Sequence, residues 1–280
     1  MASSFMAINN CRYFDTLVLI ENTYILCYNH NTMDKTTFIG LSPAIVEKIE
    51  PMIQEITGQH AQNIHSIHVV GSAVMPDYNE KLSDINSLVI LRDMDLKFIT
   101  FLAPLGKKYG KKQIAAPLIM TPEYIRNSID AFPLEFLDFK LIHATVYGED
   151  ILKGMQIDKK PLRLQCEREI KVKLMGLRQG YLSSLGEKKH VAPILVRSIT
   201  GSMAFFRSII YLLGTDPPVP RAEVISAVGM ITTIETEVLV KLLLLKAGTI
   251  KPTEQETRDL FEQYYNTLGS IEKIIDDLHV

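Results

Sequence analysis

Residues 69–91, VVGSAVMPDYNEKLSDINSLVIL, are the part of the chain whose residue types and spacing best fit chemistry. Gly71 and Ser72 end one apolar run, and Asp84 and Asn86 stand two residues apart at the start of another. Because residues i and i+2 of a strand point to the same face, these two side chains can share a divalent cation. Asn86 offers one neutral carbonyl oxygen where a carboxylate would offer two charged ones. The pattern therefore predicts a cation site with one carboxylate and one amide.

This segment resembles the signature of polymerase-β-type nucleotidyltransferases, and of the minor, aminoglycoside-nucleotidyltransferase-like branch among them. In that family a strand ends in Gly-Ser, and two acids follow after about ten residues at i and i+2 of a hydrophobic strand. Gly71, Ser72, Ser83 and Asp84 match, whereas Asn86 replaces the second acid. Residue 87 is a serine where the family usually has a hydrophobic residue.

The resemblance implies a nucleoside triphosphate (NTP) as substrate and Mg²⁺ as cofactor, with Mn²⁺ as the alternative. In the family, two metal ions bind the triphosphate and activate an acceptor hydroxyl, and pyrophosphate leaves. The implied metal ligands are Asp84 and, as a weakened ligand, Asn86. Cofactor-binding roles are implied for Gly71, Ser72 and Ser83, and Lys81 is a fourth candidate because of its position in the motif loop.

A third acid completes the metal site in this family, and it lies on a neighbouring strand. The segment PLEFLDFK at 133–140 offers Glu135 and Asp138. A strand over residues 134–142 would send these two to opposite faces, so at most one could reach the metals. Glu135 is the predicted ligand because it lies nearer the start of that strand, and Asp138 is the alternative. The following Tyr147-Gly148 resembles the end of the family's catalytic domain.

The elements around the motif predict an α+β fold, a mixed-sheet nucleotidyltransferase domain followed by an all-α helical bundle. Ser42-Pro43 opens a helix to about residue 57, and further helices are predicted over 95–106 and 121–129. Strands are predicted at 64–70, 88–91, 114–120 and 134–142. His65 and His68 are three apart in the first of these strands, hence on opposite faces, and are interpreted as surface or interface histidines.

Four long amphipathic helices are predicted after Pro161, at about 161–185, 191–213, 220–247 and 253–278. The last begins with Thr253 and Glu256, at the spacing of a capping box. We predict a nucleotidyltransferase-like domain over 42–155, a helical bundle over 156–280 and a hinge over 148–161. The segment 1–41 is left without a clear structure, although 17–20 and 23–28 could form two short strands.

Composition limits the partners of the chain. Lys and Arg number 30 against 32 Asp and Glu, so no overall basic field favours a nucleic-acid duplex. The three scattered cysteines lack the spacing of zinc sites or disulfide frameworks and predict a cytoplasmic protein. The apolar run from Thr16 is interrupted at 21–23, so no membrane partner is expected.

Two functions compete at this point. The first is a metal-dependent enzyme that transfers a nucleoside monophosphate from an NTP to a hydroxyl of a small molecule, a protein or an RNA end. The second is a catalytically silent nucleotidyltransferase-like module that binds nucleotide or a partner protein, and Asn86 favours it. The apolar helices are compatible with a homo-oligomer or a helical partner protein under either hypothesis.

Overall fold

The structure is a computed structural model that describes residues 16–20, 23–27, 36–80 and 83–280. Strands β1 (Thr16–Ile20) and β2 (Thr23–Cys27) pair as an antiparallel hairpin. This confirms the two short strands predicted at 17–20 and 23–28 in the N-terminal segment. Residue 28, the predicted end of the second strand, lies outside the described residues.

A four-stranded mixed sheet carries the candidate site. Its strands are β3 (Ile64–Val70), β4 (Asn86–Leu91), β5 (Leu118–Met120) and β6 (His143–Gly148), in the order β5-β4-β3-β6. Strand β3 is antiparallel to both β4 and β6, whereas β5 is parallel to β4. Four helices accompany the sheet: α1 (Pro43–His60), α2 (Leu96–Gly110), α3 (Pro122–Ser128) and α4 (Pro133–Leu141).

The sheet is buried on both faces. Helices α1 and α2 cover one face, where Ile67, Val69 and Val89 join the isoleucine stripe of α1 in one core. On the opposite face, Val70 and Leu88 belong to a second core that continues into the helices after residue 159. This face also carries His68 and Asn86, because side chains alternate along a strand.

The predicted strand at 134–142 is wrong, because these residues form helix α4. The apolar and acidic residues of this segment fit the period of a strand as well as that of a helix. Pro133 favours the helix, because its fixed φ is pre-organised for the first helical position. The side chain of Gln165 accepts a hydrogen bond from the Leu134 N–H at 2.9 Å and satisfies a donor at the start of the helix. Glu135 and Asp138, three apart on a helix, therefore do not point to opposite faces.

The C-terminal half is all-α, which together with the mixed sheet confirms the predicted α+β class. Its described helices are α5 (Lys159–Ser184), α6 (Lys188–Ile199), α7 (Ser202–Leu212), α8 (Arg221–Thr232), α9 (Glu237–Lys246) and α10 (Glu254–Asp276). The capping box of Thr253 and Glu256 is present. Among the described residues, no helix has both the length and the apolar character to span a membrane.

Two of the four predicted long helices are each divided in two. The helix predicted over 191–213 breaks at Gly201, whose φ of +76° is left-handed. The helix predicted over 220–247 breaks after Thr232, where Thr233 has a φ of +57°. β-Branched residues at 232–234 disfavour the helix there. Leu152 and Ile157, within the predicted hinge, are buried in the core, and the division into domains at residue 155 stays a prediction.

Candidate functional site

A tight turn follows strand β3 at the start of the motif. Gly71 has a φ of +72°, its N–H donates to the Ile142 carbonyl at 3.1 Å, and it opens a short 3₁₀ turn over Gly71–Val74. Apart from Gly71 itself and its two chain neighbours, no residue has a heavy atom within 4 Å of the position that a Cβ would occupy on Gly71. Ser72 beside it is partly exposed. The turn therefore leaves open space beside the Gly71 backbone, next to the partly exposed Ser72.

Asp84 and Asn86 lie on one side of the chain at the start of β4. Both are exposed, while Ile85 between them is fully buried. The Ile85 backbone N–H donates to the Gln113 carbonyl at 2.8 Å, and its carbonyl accepts from the Ala115 N–H at 3.0 Å. The predicted shared face of Asp84 and Asn86 agrees with this alternation.

The sheet supplies few negative charges to this region. The sequences of β3, β4, β5 and β6 contain no Asp or Glu, and Asp84 immediately precedes the Ile85 bridge to the segment before β5. On β5, the residue beside Leu88 is the apolar, exposed Leu118. The strands therefore offer no further carboxylate beside Asp84.

The two predicted third ligands have partners of their own. Gln165 donates from its Nε2 to the Glu135 carboxylate at 2.8 Å. Arg207 donates to Asp138 Oδ1 at 2.7 Å. Burial raises the pKa of Asp138, and the positive charge of Arg207 offsets part of that rise. A metal-binding role for Glu135 stays a prediction. It can no longer be argued from a strand position, because Glu135 lies on helix α4.

The loop between the turn and β4 contacts the helical half. Asp77 pairs with Arg221 at the start of α8, with an N–O distance of 2.9 Å. Tyr78 donates its hydroxyl to the Ser83 carbonyl at 3.0 Å, and burial raises the pKa of this phenol. Ser83 is partly exposed, and Lys81 lies outside the described residues.

Ser87 is buried, with its hydroxyl unpaired. It is 2% exposed, and its Oγ has no hydrogen-bond partner. We expect Ser87→Ala to raise the free energy of unfolding by about 1 kcal/mol, because a buried hydroxyl without a partner carries a desolvation penalty. Urea unfolding would measure the change, and Ser83→Ala, at a partly exposed serine, is the control. A loss of stability in Ser87→Ala would contradict this account.

A second polar cluster lies on the same sheet face and consists of His68, His143 and Asp150. One ligand atom from each lies within 4.8 Å of the other two. The interpretation of His68 as a surface histidine is wrong, since it is fully buried and hydrogen-bonded to Ser66 and Thr145, each at 2.9 Å. Burial lowers the pKa of His68 to about 4.

Sequence reasoning missed this cluster. A signal existed in the i, i+2 pairs Ser66/His68 and His143/Thr145, which place polar side chains on one face of two apolar strands. The sequence does not predict the register shift between β3 and β6 after Ile67. This bulge places Thr145 beside His68.

The predicted two-metal centre fits these residues poorly. Holding two divalent ions together takes several carboxylates, and the segment from Asp84 to Asn86 offers one carboxylate and one amide. The same pair fits a single Mg²⁺ that a triphosphate brings with it, because Mg²⁺ is often bound through one or two carboxylates plus substrate phosphates. Asp84 and Asn86 are the residues that would hold it.

Comparison with known proteins gives distant similarities. No protein-family model matches the chain, and no curated protein matches it significantly. It is similar to spectinomycin adenyltransferase AAD(9) from Enterococcus faecialis, solved with ATP and spectinomycin, with a TM-score of 0.49 and 13% identity, over 80% of this chain and 99% of that one. It is also similar to a nucleotidyltransferase-like protein from Exiguobacterium sibiricum 255-15, with a TM-score of 0.35 and 12% identity, over 81% of this chain and 75% of that one.

Proposed function

We propose that the chain is a nucleotidyltransferase-like module that binds an NTP with Mg²⁺ but does not transfer its nucleotide efficiently. The observation that carries the proposal is the charge of the site: Asp84 is followed by Asn86, and strands β3 to β6 contain no carboxylate. One carboxylate suits one nucleotide-bound Mg²⁺, whereas two-metal transfer needs more.

The binding roles in this proposal follow the predicted motif. Open space beside Gly71 leaves room for a phosphate to approach the backbone, and Ser72 lies next to it. Asp84 and Asn86 would orient the Mg²⁺ that accompanies the triphosphate, and Ser83 and Lys81 keep their predicted nucleotide-binding roles. A single nucleotide-bound Mg²⁺ does not need Glu135, whose carboxylate accepts a hydrogen bond from Gln165. The cytoplasmic setting is part of the proposal and depends on the scattered cysteines.

The second candidate is the active enzyme, and the match of Gly71, Ser72 and Asp84 to the family signature favours it. Its Mg²⁺ would stabilise charge on the transferred phosphorus centre. Its acceptor would be a hydroxyl on a small molecule, a protein or an RNA end. A homo-oligomer or a helical partner protein is compatible with both candidates.

Calorimetric titration with each of the four NTPs, with and without Mg²⁺, tests the binding half of the proposal. We expect Mg²⁺-dependent binding of at least one NTP. Asp84→Asn should weaken that binding about 10-fold or more, equal to about 1.4 kcal/mol. The control is Asp95→Asn, at a helix N-cap that lies after β4. If the native chain binds none of the four NTPs, both candidate functions are wrong.

Pyrophosphate release separates the two candidates. We expect the native chain to stay at the background rate in Mg²⁺ and in Mn²⁺, and Asn86→Asp to bind Mg²⁺-NTP more tightly because it restores a charged ligand. If the native chain releases pyrophosphate and Asp84→Asn does not, the active enzyme is the correct candidate and the silent module is wrong.

A further inference from the structure

We propose that His68, His143 and Asp150 form a binding site for a divalent first-row transition ion, for which Zn²⁺ is the test ion. The three residues come from β3, β6 and the loop after β6. One nitrogen from each histidine and one carboxylate oxygen lie within 4.8 Å of one another. The proposal does not depend on nucleotide binding, because it uses none of the residues of the motif.

Hydrogen bonding at His143 points to a cation between its ring and Asp150. Its Nδ1 lies 2.8 Å from the Phe139 carbonyl oxygen, which can only accept, so Nδ1 carries a hydrogen. In the neutral ring Nε2 then holds a lone pair, and it lies 3.0 Å from Asp150 Oδ1, which is also an acceptor. Two acceptors at this distance repel each other unless a proton or a metal ion lies between them.

The position of His68 favours a metal ion over a proton. A proton would need only His143 and Asp150, yet a second imidazole, fully buried, has its ring centroid 5.7 Å from that of His143. Hydroxyl groups of Ser66 and Thr145 contact the two nitrogens of His68. One of these bonds would give way to the ion, and the other would keep the ring oriented.

The surroundings resemble the outer shell of a metal site. Ligating histidines commonly donate their second ring N–H to a backbone carbonyl or a carboxylate, as His143 does to Phe139. Asp150 is oriented in turn by the Lys153 backbone N–H, which donates to Oδ1 at 3.1 Å. Both ligand classes therefore have a group that fixes their direction.

Ligand type and space select the class of ion. Imidazole nitrogen suits Zn²⁺ and its first-row neighbours, whereas Mg²⁺ and Ca²⁺ prefer sets made of oxygen alone. Bonds of about 2.0–2.1 Å in a tetrahedral shell place ligand atoms about 3.3 Å apart, so small side-chain rotations would complete the site. The Asp150 side chain is 35% exposed, which gives the ion a path from solvent and leaves a coordination position open to water or a ligand.

The ion would lie near the candidate nucleotide site without sharing its ligands. Val70 of β3 pairs with Asn86 on one side and with His143 on the other. Two strand spacings therefore separate the backbones of Asn86 and His143, a distance of about 10 Å.

The test is Zn²⁺ titration of the full chain after dialysis against a chelator, with metal content measured by mass spectrometry. We expect about one Zn²⁺ per native chain. Asp150→Asn and His143→Gln should weaken binding by more than the roughly 10–100-fold that loss of an outer-shell partner causes. Bound Co²⁺ should give visible absorption typical of four or five ligands in the native chain and lose it in Asp150→Asn.

Two matched controls should leave Zn²⁺ binding unchanged. His190→Gln removes an exposed histidine of α6, and Asp84→Asn removes the carboxylate of the motif. The absence of Zn²⁺ binding by the native chain, or equal binding by native and Asp150→Asn, would overturn the proposal. Asp150 lies in an exposed loop, so this variant gives a result even if His143→Gln does not fold.

Discussion

Replacement of Arg207 by methionine is expected to lower the free energy of unfolding by about 3–5 kcal/mol at pH 7. Arg207 is 2% exposed, and its guanidinium donates to Asp138 on α4 at 2.7 Å and to the Val219 carbonyl at 3.2 Å. Arg207→Met would leave the Asp138 carboxylate largely buried without its cation. Urea unfolding at pH 7 would measure the loss.

The pH dependence identifies the cause of that loss. Burial already raises the pKa of Asp138, and removal of Arg207 would raise it further. A carboxyl group whose folded-state pKa lies above its unfolded value is stabilising when protonated, and that contribution disappears as pH rises through the folded-state pKa. The difference in the free energy of unfolding between the native chain and Arg207→Met should therefore shrink as pH falls below the pKa of Asp138 in the folded variant.

Arg221→Met is the matched control for the buried pair. Arg221 also forms an ion pair, with Asp77 at 2.9 Å, but its side chain is 28% exposed and that of Asp77 is 40% exposed. Removal of a solvated pair should cost at most about 1 kcal/mol. The double variant Arg207→Met/Asp138→Leu should recover part of the stability. Equal losses in Arg207→Met and Arg221→Met would contradict the role of burial.

Replacement of Gly148 by alanine is expected to cost about 3 kcal/mol or more. Gly148 ends β6 with a φ of +74°, and a Cβ there would lie 2.1 Å from the His65 carbonyl oxygen and 2.9 Å from the Ser66 Cα. Both are backbone atoms of the central strand, so neither can move aside cheaply. Thermal or urea unfolding would measure the loss, and displacement of Asp150 should weaken Zn²⁺ binding as well.

Gly71→Ala separates the clash from the conformation. Gly71 has nearly the same φ, +72°, but apart from Gly71 itself and its two chain neighbours no residue has a heavy atom within 4 Å of its would-be Cβ. Its substitution should cost about 1–2 kcal/mol for the left-handed backbone alone. If Gly148→Ala lowers the free energy of unfolding no more than Gly71→Ala does, the close approach between β6 and β3 does not contribute to the loss of stability.

Elements with a strong local pattern were predictable from the sequence. The buried stripe of α1, Ile45, Ile49, Met52, Ile53 and Ile56, repeats at the helical period, and Pro43 follows a residue at the N-cap. The side chains of Thr253 and Glu256 each accept a hydrogen bond from the other residue's backbone N–H within one turn. Such features depend on residues close in sequence, so they are visible before any tertiary contact is known.

The candidate nucleotide site was partly predictable for the same reason. Gly71, Ser72, Asp84 and Asn86 belong to one segment, and the exposure of Asp84 and Asn86 around buried Ile85 follows from strand alternation. The third predicted ligand, Glu135, depends on a predicted strand over 134–142, and these residues form helix α4. A nine-residue stretch of apolar and acidic residues fits both periods, and the bond from Leu134 to Gln165, 31 positions away, favours the helix.

The sequence by itself determined the α+β class, the all-α second half, the predicted motif and the loss of a carboxylate at Asn86. Only the tertiary structure decided that His68 faces His143 and Asp150, that Arg207 pairs with Asp138, and that two long helical patterns are interrupted. The physical reason is distance along the chain. A bulge between β3 and β6 and the close approach at Gly148 place side chains together that no local periodicity relates.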